Sequence, residues 1–337
     1  MEEIFEKLQD DTRSLWVSSS VRRLKHMPSP TAFFKDFVAT STPVIIEGGA
    51  SGWKAAQSWD LESMTRANPD LEVTVDLTPN GRGDCVVGSN DLFGEIVGHG
   101  GRRAVFVKPE ERRMKFRSFV DELLMKSSDD GCGGPVYHSS STHGVPYLSH
   151  QNDSLRHEFP GLLADIEPFL DVAREAFGNE PDAVNLWIGD DRSMSSVHKD
   201  HYENMYCVLR GEKHFTLLPP SDVLFLYEQE YPQGRFREKA DGSGFEVRLE
   251  DGTVPWIPVD PACPDLDRYP LFRHASPVQC SVGPGDILYL PALWYHRVSQ
   301  SGITIAVNYW HDMQFDFKYV YYRFLQEYAR KRTLGLL

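Results

Sequence analysis

From Ala183 onward the chain breaks into short apolar runs with strand-like alternation: "AVNLWIG", "NMYCVLRG", "KHFTLLPP", "VQCSVGPGDILYLP", "WYHRVSQ" and "ITIAVNYW". Gly, Pro and Asp separate them at the intervals expected of a sandwich or barrel. This run of strands constrains the fold more than any other feature. It predicts an antiparallel β-core in the second half of the chain.

The first half reads differently. Residues 1–26 have helical periodicity, and "MPSPTAFF" breaks it; Ser29-Pro30-Thr31 is a cap-like start for the helix "TAFFKDFV". "TPVIIEG" reads as a short buried strand and "LEVTVDLTP" alternates at period two. "RRMKFRSFVDELLM" returns to helix, and "FPGLLADIEPFLDVAREAF" is a helical connection. Residues 228–275, richer in Pro, Gly and charge, read as an insertion between strands. The aromatic-rich tail "FDFKYVYYRFLQEYARKRTL" reads as a helix. The expected division is an N-terminal helical and strand segment over 1–135, the β-core over 136–315 and a C-terminal helix over 316–337, forming one unit.

Bulk properties exclude some partners. The net charge of −14 over 337 residues makes nucleic acid an unexpected direct partner. No run of about 18 apolar residues is present, so no membrane span is expected. The N-terminus lacks the basic and apolar regions of a signal peptide. The 5 cysteines include no C-x-x-C pair, which fits a reducing compartment. A cytoplasmic or nuclear location is expected.

The stretch "SVHKDHYENMYCVLRGEKHF" carries the chemistry. If "SSVHKDHY" is extended, His198 and Asp200 share one face and Lys199 and His201 the other. An imidazole and a carboxylate side by side supply two positions on a divalent metal. His296, at a strand start after "PALW", is the best third donor. Two His and one carboxylate with open positions opposite form the facial triad of non-haem Fe(II) oxygenases. Lys213 sits within an apolar strand, sharing its face with Phe215 and Leu217. A buried ammonium needs an anionic partner. Beside a metal, that partner reads as the far carboxylate of a chelating diacid.

Together "NLWIGDDRSMSSVHKDHYENMYCVLRGEKHFTLLPPSD" and "GDILYLPALWYHRVSQSGITIAVNYWHD" resemble the JmjC-domain oxygenases of the hydroxylase-type branch. The likeness runs from about Pro28 to Phe324. It implies a mainly β fold with added helices: a double-stranded β-helix, or jelly roll, of cupin-like type. It implies Fe(II) held by His198, Asp200 and His296, with 2-oxoglutarate and O₂ as cosubstrates. Lys213 falls on the position that pairs with the cosubstrate's distal carboxylate, and Tyr147 on a tyrosine that hydrogen-bonds it, with Tyr137 as a rival. Ser195, Tyr206 and Asn308 fall on further pocket positions.

The implied activity is hydroxylation at C3 of a lysine in a protein substrate, such as a developmentally regulated GTP-binding protein. N-methyl-lysine demethylation would use the same iron site. Arginine-directed cleavage of histone tails is a weaker alternative, because neither H-E-x-x-H nor a nucleophile motif is present. A cupin-like metal-binding module without turnover is the non-enzymatic alternative. The aromatic tail helix implies a homodimer.

Overall fold

The computed structural model describes residues 2–88, 96–97, 104–125 and 144–336. Its centre is a pair of long antiparallel strands, Tyr202–Leu218 and Tyr295–Asp312, paired along their length. The pairing shifts register between Val208 and Glu212. Gly211 there has φ +68°, and a Cβ on it would meet the Ile303 carbonyl oxygen at 2.4 Å. A bend of this kind lets each long strand contribute to two facing layers.

In one layer Ala183–Gly189 pairs with the end of Tyr295–Asp312, which pairs with the start of Tyr202–Leu218, which pairs with Ile287–Leu290. The other layer repeats the pattern with Met194–His198, the start of Tyr295–Asp312, the end of Tyr202–Leu218 and Val278–Val282. This is the expected jelly roll. Val44–Ile46, fully buried, extends the first layer by pairing with Ile287–Leu290.

Ser29 caps the helix Pro30–Phe33 by accepting from the Ala32 amide, as its sequence suggests. Phe33 packs edge-on against Tyr289, 5.0 Å between ring centroids, fixing this helix on the first layer. The segment read as helix from Arg112 differs. Glu110–Lys115 is a strand paired with Glu72–Thr78, and the helix starts only at Phe116. Alternating exposure along "EERRMK" matches an edge strand with one face covered.

Within 228–275, Gln229–Glu238 and Phe245–Trp256 form an antiparallel hairpin. The hairpin joins Val105–Lys108 and, through it, Cys85–Val87 in a second sheet. That sheet and the three-stranded one containing Glu72–Thr78 and Val145–Tyr147 bring side chains to the mouth of the jelly roll. The C-terminal helix Phe317–Thr333 packs on the segment Pro220–Phe225. Among the described residues, no helix is long and apolar enough to cross a membrane.

Candidate metal and dicarboxylate site

His198 and His296 are direct partners across adjacent strands, and their ring centroids lie 4.2 Å apart. Asp200 follows the end of its strand rather than continuing it, yet its Oδ2 lies 3.6 Å from His296 Nε2. Donor atoms of His198, Asp200 and His296 all fall within 4.8 Å of one another. Lys199 turns the other way, bridging to Glu228 at 3.0 Å.

Backbone contacts orient both rings. His198 Nδ1 donates to the Ser196 carbonyl at 2.7 Å and His296 Nδ1 to the Trp294 carbonyl at 3.0 Å. Both imidazoles therefore turn Nε2 inward with its lone pair free, the arrangement that metal-binding histidines require. Burial, with His198 beside it, pulls His296 down to about 4, against the opposing pull of Asp200. His296 is thus neutral at ordinary pH. Leu293, just before this strand, is held at φ +66°, and its amide donates to the Asp200 carbonyl at 2.9 Å. The bend "PALW" thereby ties the Asp200 loop to the His296 strand.

Lys213 lies deeper in the jelly roll and is 1% exposed. Its Nζ donates to the Tyr147 hydroxyl at 2.9 Å and to Gln300 Oε1. Among the described residues no carboxylate pairs with it, and burial pulls its pKa from 10.5 down to about 7. Tyr147 reaches this point because Val145–Tyr147 pairs with Glu72–Thr78 and Leu148 bridges Ile188. Tyr137 lies outside the described residues.

Between the two ends the cavity is lined by Trp187, Ser195, Asn204, Tyr206, Phe215 and Asn308. Tyr206 stands edge-on to Phe215 at 5.3 Å. Asn308 accepts from Trp187 Nε1 at 2.7 Å and donates to Asn204 Oδ1 at 3.2 Å. Seven of the expected residues, His198, Asp200, His296, Tyr147, Ser195, Tyr206 and Asn308, line this cavity, and Lys213 adjoins it through its hydrogen bond to Tyr147. Asn204 was not anticipated, although it lies two positions from Tyr206 in one strand and so shares its face.

The cavity opens into a cleft of about 190 Å³ bounded by His198, Asp200, Asp76, Asp84 and Trp256. Trp256 stacks on His198, with the planes 7° apart. Burial raises the pKa of Asp76 to about 7 despite the Ser149 hydroxyl at 2.5 Å. Asp84 has φ +49°, and its carbonyl accepts from Ser196 at 2.5 Å. Among the described residues its carboxylate has no hydrogen-bond or ion-pair partner.

Two imidazoles and one carboxylate at one point fit an octahedral divalent ion with open positions. A buried ammonium that meets no carboxylate among the described residues fits one end of a dicarboxylate. Residues 30–317 match the family described as "Cupin-like domain". The human "Bifunctional peptidase and (3S)-lysyl hydroxylase JMJD7" is 39% identical over 324 residues, covering 96% of this chain and 93% of that protein. The chain belongs to the cupin-like JmjC family. Two other JmjC proteins span similar lengths. "Lysine-specific demethylase JMJ32" of Arabidopsis thaliana is 38% identical, covering 97% of this chain and 92% of that protein. "JmjC domain-containing protein E" of Dictyostelium discoideum is 37% identical, covering 97% and 93%. The JmjC family is one of dioxygenases using Fe(II) and 2-oxoglutarate, and the donor set here suits both groups.

Proposed function

We propose that this JmjC protein is a protein hydroxylase that acts on a lysine side chain, with His198, Asp200 and His296 holding Fe(II). The carrying observation is Lys213: a buried ammonium with only neutral partners, hydrogen-bonded to Tyr147, which lines the same cavity as a complete His/Asp/His group. Fe(II) and 2-oxoglutarate, when bound, supply oxidative decarboxylation to succinate and CO₂ coupled to insertion of an oxygen atom from O₂ into a C–H bond.

The chain's own residues position and enclose. Lys213 and Tyr147 hold the distal carboxylate of 2-oxoglutarate, so the acid is oriented at its other end before the target arrives. Ser195, Tyr206 and Asn308 shape the space between, and Trp187 and Phe215 exclude water. At the mouth, Asp76 and Asp84 place two carboxyl groups, both raised in pKa by burial, beside the Trp256 ring. That pairing suits a cationic side chain with an aliphatic stem. It supports lysine as the target, in line with the activity named for the human relative. A developmentally regulated GTP-binding protein is the first substrate to test.

The name of the Arabidopsis relative favours a second reading at the same site, removal of an N-methyl group from lysine. Mass spectrometry separates the two. Gain of one oxygen on unmodified lysine supports hydroxylation, and formaldehyde release from methylated peptide supports demethylation. Absence of 2-oxoglutarate turnover would sink both.

The assembly we propose is a homodimer through the C-terminal helix. Phe317, Val320, Tyr321 and Phe324, at spacings of three and four, are each about two-thirds exposed along one helix face. An apolar stripe meets its own copy without unpaired charge, as a two-fold interface requires. Free thiols at Cys207, Cys263 and Cys280 support a cytoplasmic or nuclear location.

A further inference from the structure

We propose that Gln300 is a positioning residue that leaves the Lys213 charge uncompensated, and so sets the preference for a dicarboxylic 2-oxo acid over its monocarboxylic counterpart. The inference rests on the reading of Lys213 as the dicarboxylate anchor.

Gln300 lies four residues after His296 in the same strand and is 4% exposed. Its Oε1 accepts from Lys213 and from Thr304 Oγ1, the latter at 2.5 Å. Its Nε2 donates to the Asp190 carbonyl at 2.5 Å. These contacts fix which way the amide faces. The reverse orientation would set Oε1 against the Asp190 carbonyl and turn an NH₂ group toward the ammonium. The oxygen must face Lys213.

An ammonium carries three N–H donors. Gln300 takes one and Tyr147 another, and neither carries charge. One donor and the whole positive charge remain for a ligand. A glutamate at 300 could make the same hydrogen bond, but it would neutralise Lys213 internally and repel an incoming carboxylate. The amide is therefore the group that holds the ammonium in place without satisfying it. Gly189 makes room for the arrangement. A Cβ there would lie 2.6 Å from Tyr147 Cδ2 and 2.7 Å from Gln300 Nε2.

The test is calorimetric binding to the Mn(II)-loaded full chain. The probes are 2-oxoglutarate and 2-oxopentanoate, in which a methyl group replaces the distal carboxylate. The wild-type protein should favour 2-oxoglutarate by roughly 100-fold, the scale of a buried charge-assisted contact. Gln300→Glu should cut that preference at least about tenfold by weakening 2-oxoglutarate, with 2-oxopentanoate changed by less than about twofold. The glutamate keeps Lys213 and Thr304 as partners but sets an oxygen against the Asp190 carbonyl in place of the Nε2 donor, so its thermal midpoint is read first, and a variant that does not fold leaves the decision to Thr304→Val. Thr304→Val supplies an independent check: it removes one donor that aims Oε1, and should weaken 2-oxoglutarate by about threefold without touching 2-oxopentanoate. A wild-type preference that survives Gln300→Glu intact overturns the role of Gln300 and leaves the anchor reading standing. A wild-type protein that binds both acids alike overturns the anchor reading, and this inference with it.

Discussion

His198 and His296 face each other as direct cross-strand partners, and each donates Nδ1 to the backbone carbonyl two residues before it. The same local contact on two strands sets both rings before any ion arrives. The first prediction follows from this preorganisation. Asp200→Ala removes the carboxylate but leaves both rings oriented, because neither Nδ1 contact involves Asp200. Mn(II) affinity should fall by about 100-fold or more, since even outer contacts of metal ligands are worth 10–100-fold. The thermal midpoint of the metal-free chain should barely move. Electron paramagnetic resonance titration reads the affinity, and retention within about threefold would remove Asp200 from the ligand set.

Lys213 gives a pH prediction. Its folded pKa, about 7, lies below its ordinary value of 10.5. Between those values the unfolded chain binds the extra proton, so this group makes the ligand-free protein more stable as pH rises. The contribution is complete above about pH 10.5 and is lost as pH falls toward 7. Lys213→Met, which has no charge to bury, should lack this slope. Its stability advantage over wild type should shrink by about 2 kcal/mol between pH 7 and 9. Urea midpoints at the two pH values measure it. Saturating 2-oxoglutarate favours the ammonium and should flatten the wild-type slope; equal slopes in variant and wild type would contradict the burial argument.

Most of the site that the sequence made legible lies on or beside the jelly-roll strands, with Tyr147, on the three-stranded sheet, placed by resemblance instead. His198, Asp200 and Lys213 could be placed by counting at period two, and His296 by the turn and bend before it. The same counting from His296 reaches Gln300, so its signal was present but carried no chemistry by itself. Asp76, Asp84 and Trp256 were beyond such reasoning. Asp76 comes from the three-stranded sheet, Asp84 from the residue between the strands Arg82–Gly83 and Cys85–Val87, and Trp256 from the 229–256 hairpin docked onto Val105–Lys108. The misread "RRMK" has a related cause. Its residues favour helix well enough, but pairing with Glu72–Thr78 overrides that local preference.

Asp84 should govern the choice of target side chain. Among the described residues its carboxylate has no hydrogen-bond or ion-pair partner in the cleft that contains His198 and Asp200. Asp84→Asn should lower kcat/KM for a lysine-bearing peptide by about tenfold or more, mostly through KM, the range of one charged contact. The matched norleucine peptide should respond much less. An unchanged lysine-to-norleucine ratio would show that the ammonium is held elsewhere.

The apolar stripe predicts assembly. Tyr321→Glu and Phe324→Glu together place charges in the middle of the face formed by Phe317, Val320, Tyr321 and Phe324. Sedimentation equilibrium should show a dimer for wild type at micromolar concentration and a monomer for the double variant. Both side chains are exposed, so the fold itself should be little affected. A monomeric wild type would refute the interface.

Gly189 offers a test of Tyr147 from a residue that contacts no ligand. Its neighbours in the strand Ala183–Gly189 are all buried, and it closes the strand beside the Tyr147 ring. Alanine there cannot be accommodated unless the ring or the Gln300 amide moves, because both lie nearer than 3 Å to the new methyl group. Gln300 is held by three hydrogen bonds through both ends of its amide, whereas the Tyr147 hydroxyl makes one, to Lys213. The ring should therefore yield first. Gly189→Ala should lower stability by about 1–3 kcal/mol, the usual penalty of overpacking. It should also raise KM for 2-oxoglutarate several-fold more than it lowers kcat, because the distal carboxylate loses its hydroxyl partner while the metal end is undisturbed. If kcat falls instead and KM holds, Tyr147 serves the strand architecture rather than the cosubstrate.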